Sequence, residues 1–136
     1  MGGNILVDAG FMVALLSRRD VHHRWAAAQA ERLLPPWRTC EAALSEAFHL
    51  LGSRGTPALR TLLRRRAVAV TFDLDANLEP VMQLMQKYAN VPASLANASL
   101  VRMTETLGDP ILLTTDRDFR VYRRHGRQVV PCITPF

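Results

Sequence analysis

A layered α/β domain with a mainly parallel central sheet is what this sequence predicts, and three features carry that expectation. Ile5-Leu6-Val7 and Ile111-Leu112-Leu113 are short apolar runs without polar alternation, the pattern of strands buried on both faces. Segments of helical periodicity alternate with such runs along the chain. Two of the runs end in acids, Asp8 after the first and Asp116 with Asp118 after the second. Ligands bind at the C-terminal ends of strands in open α/β sheets. Two strand ends bearing acids, far apart in sequence, therefore suggest one shared acidic site.

At 136 residues the chain fits one domain, residues 1–136, and nearly half of its residues are apolar, enough for a sizeable core. The net charge is +5, and Lys87 is the only lysine among the basic residues. A basic, arginine-rich surface suits phosphate groups and points to nucleic acid, with general solubility as the plain alternative. Cys40 and Cys132 make no metal-binding spacing and are expected as reduced, buried residues, as in a cytoplasmic protein. A charged start followed by an apolar segment is missing, so no signal peptide is expected. No apolar stretch approaches membrane-spanning length. Met1-Gly2-Gly3 carries no structural expectation.

Taken in order, Ile5–Asp8 reads as the first strand, with Gly10 giving the following turn its freedom. Phe11–Leu16 is a short apolar helix. Asp20 is the expected N-cap of a helix over Val21–Leu34 that Pro35-Pro36 ends. His22 and His23 fall in its first turn without a third ligand nearby, and Trp25 is expected in the core. Trp37–Thr39 is strand-like. A helix over Glu41–Leu51 closes at Gly52 and buries Leu44, Phe48 and Leu51, with Glu46 to one side of that stripe. Thr56-Pro57 reads as the entry to another helix that runs to Arg64-Arg65-Arg66, cations that favour the dipole at a helix end. Val68–Phe72 is a third strand. Asp75 is the expected cap of a helix to Tyr88, which Pro80 shifts toward a start at Leu78. Ser94 caps a helix to Leu107, packed through Leu95, Ala98, Val101 and Leu107. Phe119–Arg124 reads as a helical turn carrying Arg120, Arg123 and Arg124, and Gln128–Pro131 as an edge strand. His49 and His125 read as surface residues.

Asp8, Asp116 and Asp118 follow buried strands, where an unpaired carboxylate is expensive. Acids gathered there either take up protons or recruit a cation, and a hard divalent ion suits oxygen ligands. Pairing with arginine is the competing explanation.

Four segments carry a family resemblance: Val7-Asp8-Ala9-Gly10, Ala43-Leu44-Ser45-Glu46, Pro92-Ala93-Ser94-Leu95-Ala96-Asn97-Ala98 and Thr114-Thr115-Asp116-Arg117-Asp118-Phe119. In this order, with Arg19-Asp20-Val21-His22-His23 after the first helix, the chain resembles a PIN domain, and more narrowly the VapC-type toxin ribonucleases. The resemblance implies a three-layer α/β/α domain with Mg²⁺- or Mn²⁺-dependent endoribonuclease activity. It maps the catalytic and metal-binding set to Asp8, Glu46, Asn97 and Asp116, with Asp118 as a further metal ligand and Thr115 as a polar neighbour. Arg117, Arg120, Arg123 and Arg124 would hold RNA around the rim. The implied partners are RNA, a second copy of the chain and a cognate antitoxin protein, in the cytoplasm and away from membranes.

One position departs from the family: Asn97 stands where an aspartate is expected. An amide keeps one oxygen ligand but removes a charge and adds donors, so a metal held there should weaken. The substitution is explained by engineering to silence a toxic nuclease, by natural retention of weak activity, or by a degenerate relative that binds RNA or protein without cutting. The first is favoured because every other site position is retained. A receiver domain would need a lysine at a later strand end, and Lys87 falls inside an expected helix. A haloacid-dehalogenase-like phosphatase would need a second Asp where Gly10 stands, and a nucleotide-binding fold would need GxGxxG.

Overall fold

The computed structural model describes residues 3–136; Met1 and Gly2 lie outside the described residues. Its elements are β1 (Asn4–Val7), α1 (Ala9–Leu16), α2 (His23–Arg32), β2 (Trp37–Thr39), α3 (Glu41–Arg64), β3 (Val68–Val70), α4 (Leu78–Lys87), α5 (Leu95–Thr106), β4 (Pro110–Leu113), β5 (Arg123–Arg124), β6 (Gln128–Val129) and β7 (Cys132–Ile133). Among the described residues the central sheet has five strands in the order β3-β2-β1-β4-β7, with every neighbouring pair parallel. Parallel neighbours need crossovers, and the helices supply them. The sheet and five helices form the expected three-layer α/β/α arrangement.

The strand order positions the site. From β1 the chain steps to β2 and β3 on one side, then returns to place β4 on the other. The order therefore reverses between β1 and β4, and a crevice opens there beyond the strand ends. Register aligns the two strands throughout, from Asn4 opposite Pro110 to Val7 opposite Leu113. The residues just past each strand, Asp8 and Thr114, consequently meet.

The two apolar runs are central for the reason their composition suggests: Leu6, Val7, Leu112 and Leu113 are fully buried. Phe11 of α1 packs edge-on against Trp25 and Trp37, with ring centroids 5.8 and 6.0 Å away, so Trp25 is a half-buried member of the core. Ala98 and Val101 turn the inner face of α5 into the core, with Leu95 and Leu107 against its margin.

Several local expectations are corrected. Asp20 does not cap α2, which begins at His23 after an uncapped His22; instead its carboxylate accepts from the His22 amide at 2.8 Å in the preceding turn. The two helices expected on either side of Gly52 join as α3, kinked where Gly52 takes a positive φ of 65°. Thr56 is not an N-cap: its hydroxyl donates to the Gly52 carbonyl at 2.6 Å. Leu44, Phe48 and Leu51 lie against the core, but the fully buried positions of that segment are Ala43 and Ala47. Asp73, not Asp75, accepts the amide of Ala76 ahead of α4, which starts at Leu78. Beyond β4 the expected helical turn is a short 3-10 turn, Arg117–Arg120, followed by an antiparallel hairpin of β5 and β6. The last sheet strand is β7, shifted past Pro131. Both cysteines are free; Cys40 is buried, but Cys132 only partly so.

Candidate active site

The crevice at the β1–β4 switch point is lined by Asp8, Gly10, Glu46, Asn97, Thr115 and Asp116, with Leu50, Arg117 and Phe136 at its margin. It encloses about 420 Å³. Each acid reaches it from a different element. Asp8 ends β1 and is the N-cap of α1, its Oδ1 accepting the Phe11 amide at 2.7 Å. Glu46 projects from the first half of α3 and is exposed. Asp116 follows β4 and caps the 3-10 turn through the Asp118 amide at 2.8 Å. Asn97 lies in the first turn of α5, where its amide nitrogen bonds the Ser94 cap at 3.0 Å.

Asp8 is the electrostatic centre of the group. Only 4% of it is exposed, and its Oδ2 accepts from the buried Thr114 hydroxyl. Burial is the first cause of its perturbation, and the charges of Asp116 and Glu46 add to it. Together they lift the carboxyl from 3.8 to about 7, against the hydrogen bonds from Thr114 and Phe11. The lift through Asp116 and Glu46 reflects the like-charge crowding that the sequence suggests.

Asn97 completes the crevice differently from an acid. Its Nδ2 donates to Asp116 Oδ2 at 3.0 Å, so an amide proton meets a carboxylate where an aspartate would bring a second negative charge. Thr114 ties the two strand ends together: its hydroxyl donates to Asp8 and also accepts the Asp116 amide at 2.9 Å.

Of the residues picked from sequence, the crevice gathers Asp8, Glu46, Asn97, Thr115, Asp116 and Arg117. Asp118 is exposed and contributes its amide to Asp116 rather than a wall of the crevice. Arg120 lies outside the lining, its guanidinium 5.6 Å from the Phe136 ring centre. The expected RNA-holding role of Arg123 and Arg124 meets a competing structural one. Arg123 donates to the carbonyls of Arg120 and Tyr122 at 2.7 and 3.0 Å. Arg124 donates to the Thr104 carbonyl, fastening the hairpin to α5.

Sequence reading missed three features. Thr114, rather than Thr115 alone, holds the central carboxylate; strand register is the signal that would have found it. Gly10 is needed for space as well as for freedom, because a Cβ there would overlap the Thr115 hydroxyl. Phe136 stands at the crevice mouth with the Arg117 guanidinium 4.0 Å above its ring, and nothing in the linear sequence signals that contact.

The PIN domain family model matches residues 5–124, and the chain belongs to that family. PIN domains are in general nucleases that use divalent metal ions. No curated protein gives a match.

The site fits such an ion in kind. Its donors are hard oxygens, and a bound cation would favour the charged form of Asp8 that burial first, and the nearby acids second, oppose. It falls short in closeness: three carboxylates line the crevice, but among the described residues no three His, Cys, Asp or Glu side chains stand together as a metal-holding group. Asn97 adds a further oxygen-bearing side chain to the lining.

Proposed function

We propose that this chain is a Mg²⁺- or Mn²⁺-dependent endoribonuclease of the toxin type, weakened or inactivated by Asn97. The observation that carries the reading is the convergence of Asp8, Glu46, Asp116 and Asn97 on one crevice at the sheet's switch point, with Asp8 raised by burial first and by its acidic neighbours in addition. Asp8, Asp116, Glu46 and the Asn97 carbonyl oxygen would hold the ion. When bound, it would lower the pKa of a water and polarise a phosphodiester.

The chain's own groups set up the rest. Thr114 and the Phe11 amide orient the Asp8 carboxylate, so it enters the crevice with little freedom to lose. Glu46, the exposed carboxylate at the wall, or Asp116 would take a proton from an attacking water. Arg117, held over Phe136, stands at the mouth where a substrate phosphate enters. Single-stranded RNA suits the site because its backbone is accessible without unpairing. A homodimer neutralised by a cognate antitoxin in the cytoplasm completes the proposed biology.

One observation favours a second reading, a degenerate module that binds RNA or a protein without cleavage: Asn97 donates to Asp116 and so satisfies an acid that would otherwise ligate. Incubating total RNA with and without Mn²⁺, using the chain as it stands and its Asn97→Asp variant, separates the two. Metal-dependent cleavage that rises in Asn97→Asp supports the nuclease. Intact RNA with both proteins supports the binding module.

A further inference from the structure

We propose that Arg18, Arg19 and Arg54 form a phosphate-binding groove that continues the acidic crevice and receives the flanking backbone of a single-stranded RNA. The proposal rests on the ribonuclease reading above and assigns the side from which the substrate lies across the protein.

The groove lies between the end of α1 and the middle of α3 and encloses about 370 Å³. Its floor is apolar, with Val13 and Leu16 from α1 and Leu51 from α3. Leu50 belongs to both the groove and the acidic crevice, so the two are continuous. α1 runs from one to the other: Asp8 caps its start, and Arg18 and Arg19 follow its end. Eight helical residues cover about 12 Å, a separation that places the arginines next to, rather than on, the reacting phosphate.

The arginines have no competing partner. Among the described residues the one ion pair joins Arg102 to Glu105. All three groove arginines are exposed. Three unpaired guanidiniums at one end of an acidic, hydrolytic crevice leave a local excess of positive charge that a polyanion satisfies. The forked geometry suits phosphate oxygens, and Leu50, 57% exposed, offers an apolar contact for a sugar or base between the two subsites. The arrangement also divides labour. A phosphate chain is repelled by Asp8, Glu46 and Asp116 in the absence of an ion, so affinity has to come from outside the crevice.

Fluorescence anisotropy with labelled oligouridylates tests this, on the full chain in metal-free buffer. A dinucleotide and a decanucleotide are compared for the chain, for Arg18→Gln/Arg19→Gln/Arg54→Gln, and for Arg60→Gln/Arg64→Gln/Arg65→Gln. The last triple removes the same charge from exposed positions at the other end of α3. The groove triple is expected to bind the decanucleotide at least about tenfold more weakly and to reduce the salt slope by about 2, as three lost phosphate contacts on a single strand require. The dinucleotide, with a single internucleotide phosphate, should bind weakly to all three proteins, and the distant triple should keep most of its affinity for the decanucleotide. Unchanged decanucleotide binding, as when the groove instead takes an acidic protein segment, overturns the proposal. Equal losses in both triples overturn it as well. Cleavage in Mn²⁺ is scored separately with the Asn97→Asp variant. RNA that this variant leaves intact, while the length dependence holds, counts against the nuclease reading and upholds the groove.

Discussion

The ends of β1 and β4 begin with the same sequence device and finish with different chemistry. Each strand is a buried apolar run that delivers an acid to the same crevice. Asp8 comes directly off its strand, is buried, and is locked by a helix amide and a threonine hydroxyl. Asp116 comes two residues later, is partly exposed, and is met by the Asn97 amide instead. One acid is strained by burial and crowding and the other accepts a hydrogen bond from an uncharged amide. An acid at a strand end therefore does not have a role until its depth and its partner are known.

The largest expected effect comes from removing the charge on the β1 side. In an Asn97→Asp background, Asp8→Asn should lower metal-dependent RNA cleavage on the order of 10²-fold or more, by loss of an electrostatic contact to the reacting centre. The substitution keeps an oxygen for the Phe11 amide, so circular dichroism should report an intact fold. Cleavage at the parent rate would mean that the two strand ends do not share one site.

The β4 side sharpens next. Asn97→Asp replaces a donor to Asp116 with a fourth carboxylate, and should raise Mn²⁺ affinity on the order of tenfold. Calorimetric titration reads the change directly, and an unaltered affinity would show that position 97 does not touch the ion.

Asp8 also makes the comparison dependent on pH. Its carboxyl is raised in the folded state, so it is neutral at pH 5 and ionised at pH 8. The native state holds this proton more tightly than the unfolded chain, so stability falls as pH rises through the interval from about 4 to 7. Taking the group from 3.8 to about 7 corresponds to at most about 4 kcal/mol. Asp8→Asn should accordingly unfold at a higher temperature than the parent at pH 8, and the margin should shrink as pH falls and close only near pH 4. Metal affinity of the parent runs the other way, improving as pH rises through about 7, because the ion needs the carboxylate. A stability difference that does not vary with pH would remove Asp8 as the strained member of the pair.

The smallest effect tests how closely the two ends approach. Gly→Ala near a helix start ordinarily helps the helix by up to about 1 kcal/mol. At Gly10 the added methyl meets the Thr115 hydroxyl, and overpacking should reverse the sign, destabilising by about 1–3 kcal/mol. A denaturant titration that finds Gly10→Ala more stable would mean that the β1 and β4 ends part easily.

Much of this was legible before any fold was seen. Buried parallel strands carry continuous apolar runs, so β1 and β4 could be placed to within a residue or two, and Ser94 and Leu78 marked helix starts through capping and Pro80. Asp8 and Asp116 were legible as acids at the ends of buried strands, whereas Glu46 and Asn97 were reached only through the family resemblance. The errors share a cause. Asp20, Thr56 and Asp75 each have the right chemistry for a cap, and a neighbour one or two residues away takes the role or the side chain turns elsewhere. Capping is a competition among adjacent polar groups that propensity does not resolve. Arg123 and Arg124, expected in a helical turn, form strand β5 instead and give donors to backbone carbonyls, that of Thr104 belonging to a segment distant in sequence.

The sequence by itself determined the class of fold and the two strand-end acids, Asp8 and Asp116, because apolar periodicity dictates which segments must be buried and buried strands dictate where their acids emerge. Only the tertiary structure decided that Thr114 governs Asp8, that Asn97 faces Asp116, and that Leu50 joins the acidic crevice to an arginine groove. Those facts depend on strand register and on how helices cross, and both are set by packing between segments that lie far apart along the chain.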